Sequence, residues 1–186
     1  GGSGGNTMAY STDGVTWNKL NNNLASSLNG VCWNGRIWVA GGMGPVAVYS
    51  TDGFSWTACS GFIPSTTVDC VAWSGTTNTW LMIGLGGNTV AFSYDGINWN
   101  GSTSGKNTFP TECYNVAWNG TMWVGAGKGA GNTLAYSYDG LTWVGSGNTM
   151  FSISGYNVAW SGNKWVAVGE GTVNTMAYSF DGVTWV

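Results

Sequence analysis

Apolar residues along this chain fall in short runs separated by glycine- and asparagine-rich breaks. One stretch carries four such runs, at residues 115–118, 122–126, 133–137 and 141–144. Each has the length of a β-strand and is rich in valine, tryptophan, tyrosine or threonine. Apolar side chains occupy both parities of these runs, as expected where neighbouring layers cover a sheet on both faces. No helical periodicity accompanies them.

The pattern recurs in phase. Tyr-Ser-x-Asp-Gly-x-[Thr/Ser/Asn]-Trp, with Phe92 replacing the tyrosine once, ends at Trp17, Trp56, Trp99, Trp143 and Trp185, at intervals of 39, 43, 44 and 42 residues. A second landmark, Val-[Ala/Cys]-Trp-[Asn/Ser]-Gly, begins at Val31, Val71, Val116 and Val158, at intervals of 40, 45 and 42. Four antiparallel strands per unit at this period are the signature of propeller blades around an axis. The sequence therefore predicts one all-β domain over residues 1–186, a β-propeller of about five four-stranded antiparallel blades, one of them incomplete. The units run as a half blade at 1–30 and blades at 31–70, 71–115, 116–157 and 158–186. Small residues cluster in the second strand, as in Val39-Ala40-Gly41-Gly42, Gly125-Ala126-Gly127 and Val166-Ala167-Val168-Gly169, where crowding near the axis is expected to exclude larger side chains.

The aspartates Asp13, Asp52, Asp95, Asp139 and Asp181 are expected to lock tight hairpins, each carboxylate accepting backbone N–H bonds while the next glycine takes a positive φ. The tryptophan closing each motif is expected to pack inward between blades. One carboxylate per turn does not converge on a common centre, as an acid–base pair must. The segment Ser11-Thr12-Asp13-Gly14-Val15-Thr16-Trp17 and its copies resemble the Asp-box, or BNR, repeat of sialidases, sortilin-type receptors, photosystem assembly factors and glycan-binding propellers. The turn here is one residue shorter than the commonest form of that family. The resemblance implies a sialidase-like fold, but sialidase activity would need three arginines, a Tyr-Glu pair and an acidic general acid. The chain has Arg36 alone.

Outside the boxes the carboxylates are Asp69, Glu112 and Glu170, and there is no histidine to serve as a nucleophile's base. A non-enzymatic role without cofactors is expected. Cys32, Cys59, Cys70 and Cys113 lack metal-ligand spacing, so no metal site is expected, and Cys59 and Cys70 flank a loop across which they could pair. With five basic residues, nucleic-acid binding is not expected. No apolar run is long enough to span a bilayer, so membrane insertion is not expected either. The neutral polar-aromatic composition fits an extracellular, surface or virion protein. Gly1 in place of an initiator methionine fits a processed product or part of a longer chain.

Recognition is expected on the face carrying the longer connections, at residues 18–30, 57–69, 100–114 and 144–156. The candidate ligand-binding residues are Tyr114 and Tyr156, with Asn88, Asn132 and Asn174 in the Gly-x-x-Asn-Thr turns. Phe109 and Phe151, like Leu24, stand seven residues before the landmark valine, a register that predicts packing between blades. The leading expectation is a carbohydrate-binding module. The alternative is a structural unit of a virion, surface fibre or reconstructed repeat scaffold with protein partners. Because the chain opens at the third strand of a unit, closure requires upstream residues, an incomplete blade, or strand exchange between copies.

Overall fold

The computed structural model describes residues 7–20, 24–44, 46–129 and 131–186, so residues 21–23 of the first long connection lie outside it. The chain is a succession of antiparallel meanders. A two-stranded unit comes first, β1 (Met8–Tyr10) with β2 (Asn18–Leu20). The first full blade is β3 (Leu28–Trp33), β4 (Trp38–Gly42), β5 (Val46–Ser50) and β6 (Thr57–Ala58). A short β7 (Ser60–Gly61) then leads to the second blade, β8 (Thr67–Ser74), β9 (Thr79–Leu85), β10 (Val90–Ser93) and β11 (Asn98–Gly101).

Helix α1 (Thr103–Thr108) precedes the third blade, β12 (Glu112–Trp118), β13 (Trp123–Lys128), β14 (Leu134–Ser137) and β15 (Val144–Gly145). The fourth has β16 (Ser154–Trp160), β17 (Trp165–Glu170) and β18 (Met176–Ser179). Val186 exchanges two backbone hydrogen bonds with Tyr178 where a fourth strand would run. This is the β-propeller the repeat predicts.

Two devices make each blade. The landmark tryptophan of the first strand faces a tryptophan of the second across the hairpin, and ring centroids lie 4.8 Å apart at Trp33–Trp38, 4.9 Å at Trp73–Trp80 and 5.0 Å at Trp118–Trp123 and Trp160–Trp165. Cross-strand aromatic pairs of this kind are a unit of sheet stabilisation. The blades then pack face to face. Leu81, Ile83 and Val90 of the second blade are buried against Phe109, Val116, Trp123 and Trp143 of the third, and Val124, Ala126 and Leu134 of the third against Phe151, Val158 and Trp165 of the fourth.

The aspartate motif is the second device. In the first full blade, Asp52 Oδ1 accepts the N–H of Phe54 at 2.8 Å, the N–H of Ser55 at 2.7 Å and the hydroxyl of Ser50 at 2.9 Å. The N–H of Gly53, at a φ of 78°, donates to the Ser50 hydroxyl. Asp13, Asp95, Asp139 and Asp181 repeat this arrangement.

Hydrogen bonds from the backbone N–H of Ser55 and Thr184, first among others, hold the Asp52 and Asp181 carboxyls down to about 2 from the usual 3.8. Burial works against ionisation of Asp95, yet the N–H groups of Asn98 and Ile97 also hold it at about 2. A carboxyl with a lowered folded-state pKa contributes stability above its unfolded value and loses it as pH falls through the folded one. The melting temperature is therefore expected to fall steeply as pH drops from 3.8 towards about 2, read by circular dichroism.

The structure departs from the sequence expectations in four places. Helix α1 lies where no helix was expected, capped by Ser102, whose hydroxyl accepts the N–H of Gly105 at 2.9 Å. It fastens the second blade to the third, with the Ser104 hydroxyl accepting the N–H of Trp143 at 2.9 Å. The fourth strand of the third blade is shorter than 141–144, because Leu141 and Thr142 give their N–H groups to Asp139. Trp99, Trp143 and Trp185 pack inward as expected and Trp56 is half-buried, whereas Trp17 is exposed. Phe109 and Phe151 are buried, but Leu24 is exposed, since it belongs to the first full blade and no complete blade precedes it. All four cysteines are free thiols. Burial pushes Cys59 up to about 12 and Cys70 up to about 11, so neither is a reactive thiolate at neutral pH.

Candidate functional site: a row of bulged residues on the inner strands

Each first strand is interrupted at the same place. The pairing register shifts between Leu28 and Gly30, Val68 and Cys70, Cys113 and Asn115, and Gly155 and Asn157. These are β-bulges, which leave one residue unpaired and turn its side chain out of the regular alternation. The residues so released are Asn29, Asp69, Tyr114 and Tyr156.

A glycine on the second strand makes each bulge fit. A Cβ added to Gly42 would lie 2.0 Å from the Ser27 carbonyl oxygen, and one added to Gly84 would lie 2.0 Å from that of Thr67. At Gly127 and Gly169 the corresponding approaches are 2.5 Å to Glu112 and 2.4 Å to Ser154. At these positions the need for glycine comes from the bulge carbonyl across the hairpin.

The bulged side chains form a connected polar row. The Asn29 amide donates to the Val68 carbonyl at 3.2 Å, tying the first full blade to the second. Asp69 accepts the Thr67 hydroxyl at 2.7 Å, and the Glu112 carboxyl lies beside it. Tyr114 and Tyr156 meet edge to face with centroids 5.4 Å apart. Tyr156 donates its phenol to the Glu170 carboxylate, and Glu112 lies opposite Lys128 on the neighbouring strand.

The electrostatics follow from this crowding. Burial, and then the nearby Asp69 charge, push the Glu112 carboxyl upward against the opposing effect of Tyr114. Burial and Glu112 push Tyr114 up to about 12, and the hydrogen bond to Glu170 raises Tyr156. At neutral pH both phenols are therefore neutral donors standing beside carboxyl acceptors. No histidine is present, and no group of three or more acidic or cysteine side chains among the described residues is arranged to hold a metal ion.

The other expected ligand residues lie elsewhere. Asn132 is in the β13–β14 turn, where its amide oxygen accepts the N–H of Gly147 at 3.1 Å and its side chain stands over Gly145. Asn88, in the β9–β10 turn, stands over Gly101 in the same way. Both brace the outer strand of their own blade. Asn174 lies in the β17–β18 turn, half-buried. The box aspartates are each confined to a separate turn, as their hydrogen bonds require.

Sequence reasoning placed Tyr114 and Tyr156 without the bulge that presents them. It named Asp69, Glu112 and Glu170 only as leftover carboxylates and did not name Asn29. The recurring glycines at 42, 84, 127 and 169 were the available signal.

Stacked antiparallel blades of this form define the chain as a β-propeller. No protein-family profile and no curated protein matches the sequence. Solved structures do resemble it in fold. A GH74 enzyme of Niastella koreensis has a TM-score of 0.67 at 22% identity, over 97% of this chain and 28% of its own. YCF48 bound to a D1 peptide has a TM-score of 0.63 at 19% identity, over 93% of this chain and 58% of its own. The computationally designed Ika4 protein has a TM-score of 0.62 at 11% identity, over 87% of this chain and 94% of its own. At these identities the likeness concerns the fold alone.

Proposed function

We propose that this propeller is a non-catalytic binding module of the Asp-box type that recognises carbohydrate on an extracellular or virion surface. The observation that carries the reading is the bulge row, where Tyr114 and Tyr156 stand together beside Glu112 and Glu170, with Asp69 and Asn29 at the same register of the preceding blades. Phenol faces stack on the apolar side of sugar rings, while neutral phenol donors and carboxylate acceptors match sugar hydroxyls. The row is low in basic charge, which disfavours phosphorylated or nucleic-acid ligands.

Several features support a role without turnover. The box aspartates are held in separate turns, there is no histidine, and Arg36 is the only arginine. The GH74 name of one structural neighbour belongs to that protein, of which this chain spans 28%. Calorimetric titration with neutral oligosaccharides at millimolar concentration is expected to give saturable binding, and incubation to release no reducing ends. Flat titrations across the panel would remove the carbohydrate reading, and hydrolysis that disappears in Glu112→Gln would replace it with an enzymatic one. A second reading, an assembly unit with protein partners, is favoured by the apolar face that the last blade leaves open.

A further inference from the structure

The two ends of the blade stack are unfinished in complementary ways. At the start, β1 and β2 supply the third and fourth strands of a blade, and the place of its first two strands is a cavity of about 780 Å³. Its walls are apolar, formed by Trp17 and Leu20 on one side and by Leu28, Val31, Trp38 and Ala40 on the other. Val31 is 57% exposed there, whereas Val158, its counterpart in the fourth blade, is 3% exposed. At the other end, β17 and β18 show Val168 and Met176 at 37% and 66% exposure, whereas their counterparts Ala126 and Leu134 are at 0% and 1%.

The buried counterparts show what is missing. In every completed interface the covering element is the first hairpin of the next blade: β8–β9 on the first full blade, β12–β13 on the second and β16–β17 on the third. We propose that the cavity beside β1 and the open face of β17–β18 are the two walls of one docking site for a two-stranded β-hairpin of the chain's own inner pattern, Val-x-Trp-[Asn/Ser]-Gly-x-x-Trp-Val.

Such a hairpin buries its first valine where Val158 is buried in the fourth blade. Its tryptophan pair stands between β1 and the first full blade, and it completes five four-stranded blades. Strand arithmetic disfavours a second copy as the occupant. Among the described residues each chain carries a surplus third and fourth strand and no surplus first and second, so a copy could donate only by opening one of its own blades. The proposal concerns the stack ends and stands apart from the carbohydrate site on the inner strands.

The test is the chain extended after Val186 by a second copy of residues 145–170, since Trp185 and Val186 stand where Trp143 and Val144 stand one repeat earlier. The extension is expected to raise the melting temperature by roughly 5–10 °C and to protect Val31 and Val168 from hydrogen exchange. Val31→Asp is expected to shift the unextended chain by less than roughly 2 °C, because the site is open, and to remove most of the gain in the extended one. The proposal is overturned by no gain on extension, by an equal gain from an extension of scrambled sequence, or by the same cost of Val31→Asp in both chains. A stable dimer of the unextended chain with Val31 protected would overturn it in favour of a second copy.

Discussion

Trp123→Ala is expected to destabilise the protein by about 3–5 kcal/mol, the usual cost of emptying a large buried aromatic site. Trp123 is fully buried, pairs with Trp118 across its hairpin, and belongs to the same core as Leu81 and Ile83 of the preceding blade. Its loss therefore opens a cavity in an interface between blades and removes a cross-strand pair within one. Trp17→Ala is the exposed control, a tryptophan 63% exposed, and should change stability by no more than about 0.5 kcal/mol. Urea denaturation followed by circular dichroism separates the two. Equal losses would mean that the repeated tryptophans do not owe their effect to packing between blades.

The second large effect is expected at a residue with no side chain. Gly84→Ala would place a Cβ 2.0 Å from the Thr67 carbonyl oxygen, a backbone atom that cannot swing away. Either the bulge at Asp69 flattens or β9 withdraws from β8. Overpacking of this kind costs about 1–3 kcal/mol. Gly75→Ala, whose Cβ would lie at an ordinary 3.7 Å from the Trp73 indole, should leave the melting curve unchanged. An unchanged curve for Gly84→Ala would show that the bulge is not held by the glycine opposite it.

These two residues illustrate how much of the fold could be read from the chain. Trp123 faces the landmark Trp118 across a short hairpin that recurs in every unit, and Asp139 holds its turn through a fixed set of N–H partners. Local geometry therefore wrote the same residues into every unit, and the period was legible. Gly84 was legible as a small residue, but its cause lies across the hairpin at a carbonyl oxygen that the sequence does not display.

The bulged residue has no consensus either. It is asparagine, aspartate or tyrosine according to the blade, so the row stayed hidden although two of its members were singled out. Helix α1 spans six residues, too few to show a 3.6-residue period. Trp17 and Leu24 were misread because a repeat treats every copy as equivalent, whereas copies at the end of a stack lack a neighbour to pack against.

The most direct test of the account is one oligosaccharide titration run on two variants. If the box acids hold turns while the bulge row meets the ligand, Tyr156→Ala should weaken binding by about tenfold at unchanged melting temperature, the value of one aromatic contact. Asp139→Asn should bind as the parent does while melting lower. Full binding by the tyrosine variant, with loss in the aspartate variant, would contradict that division of labour.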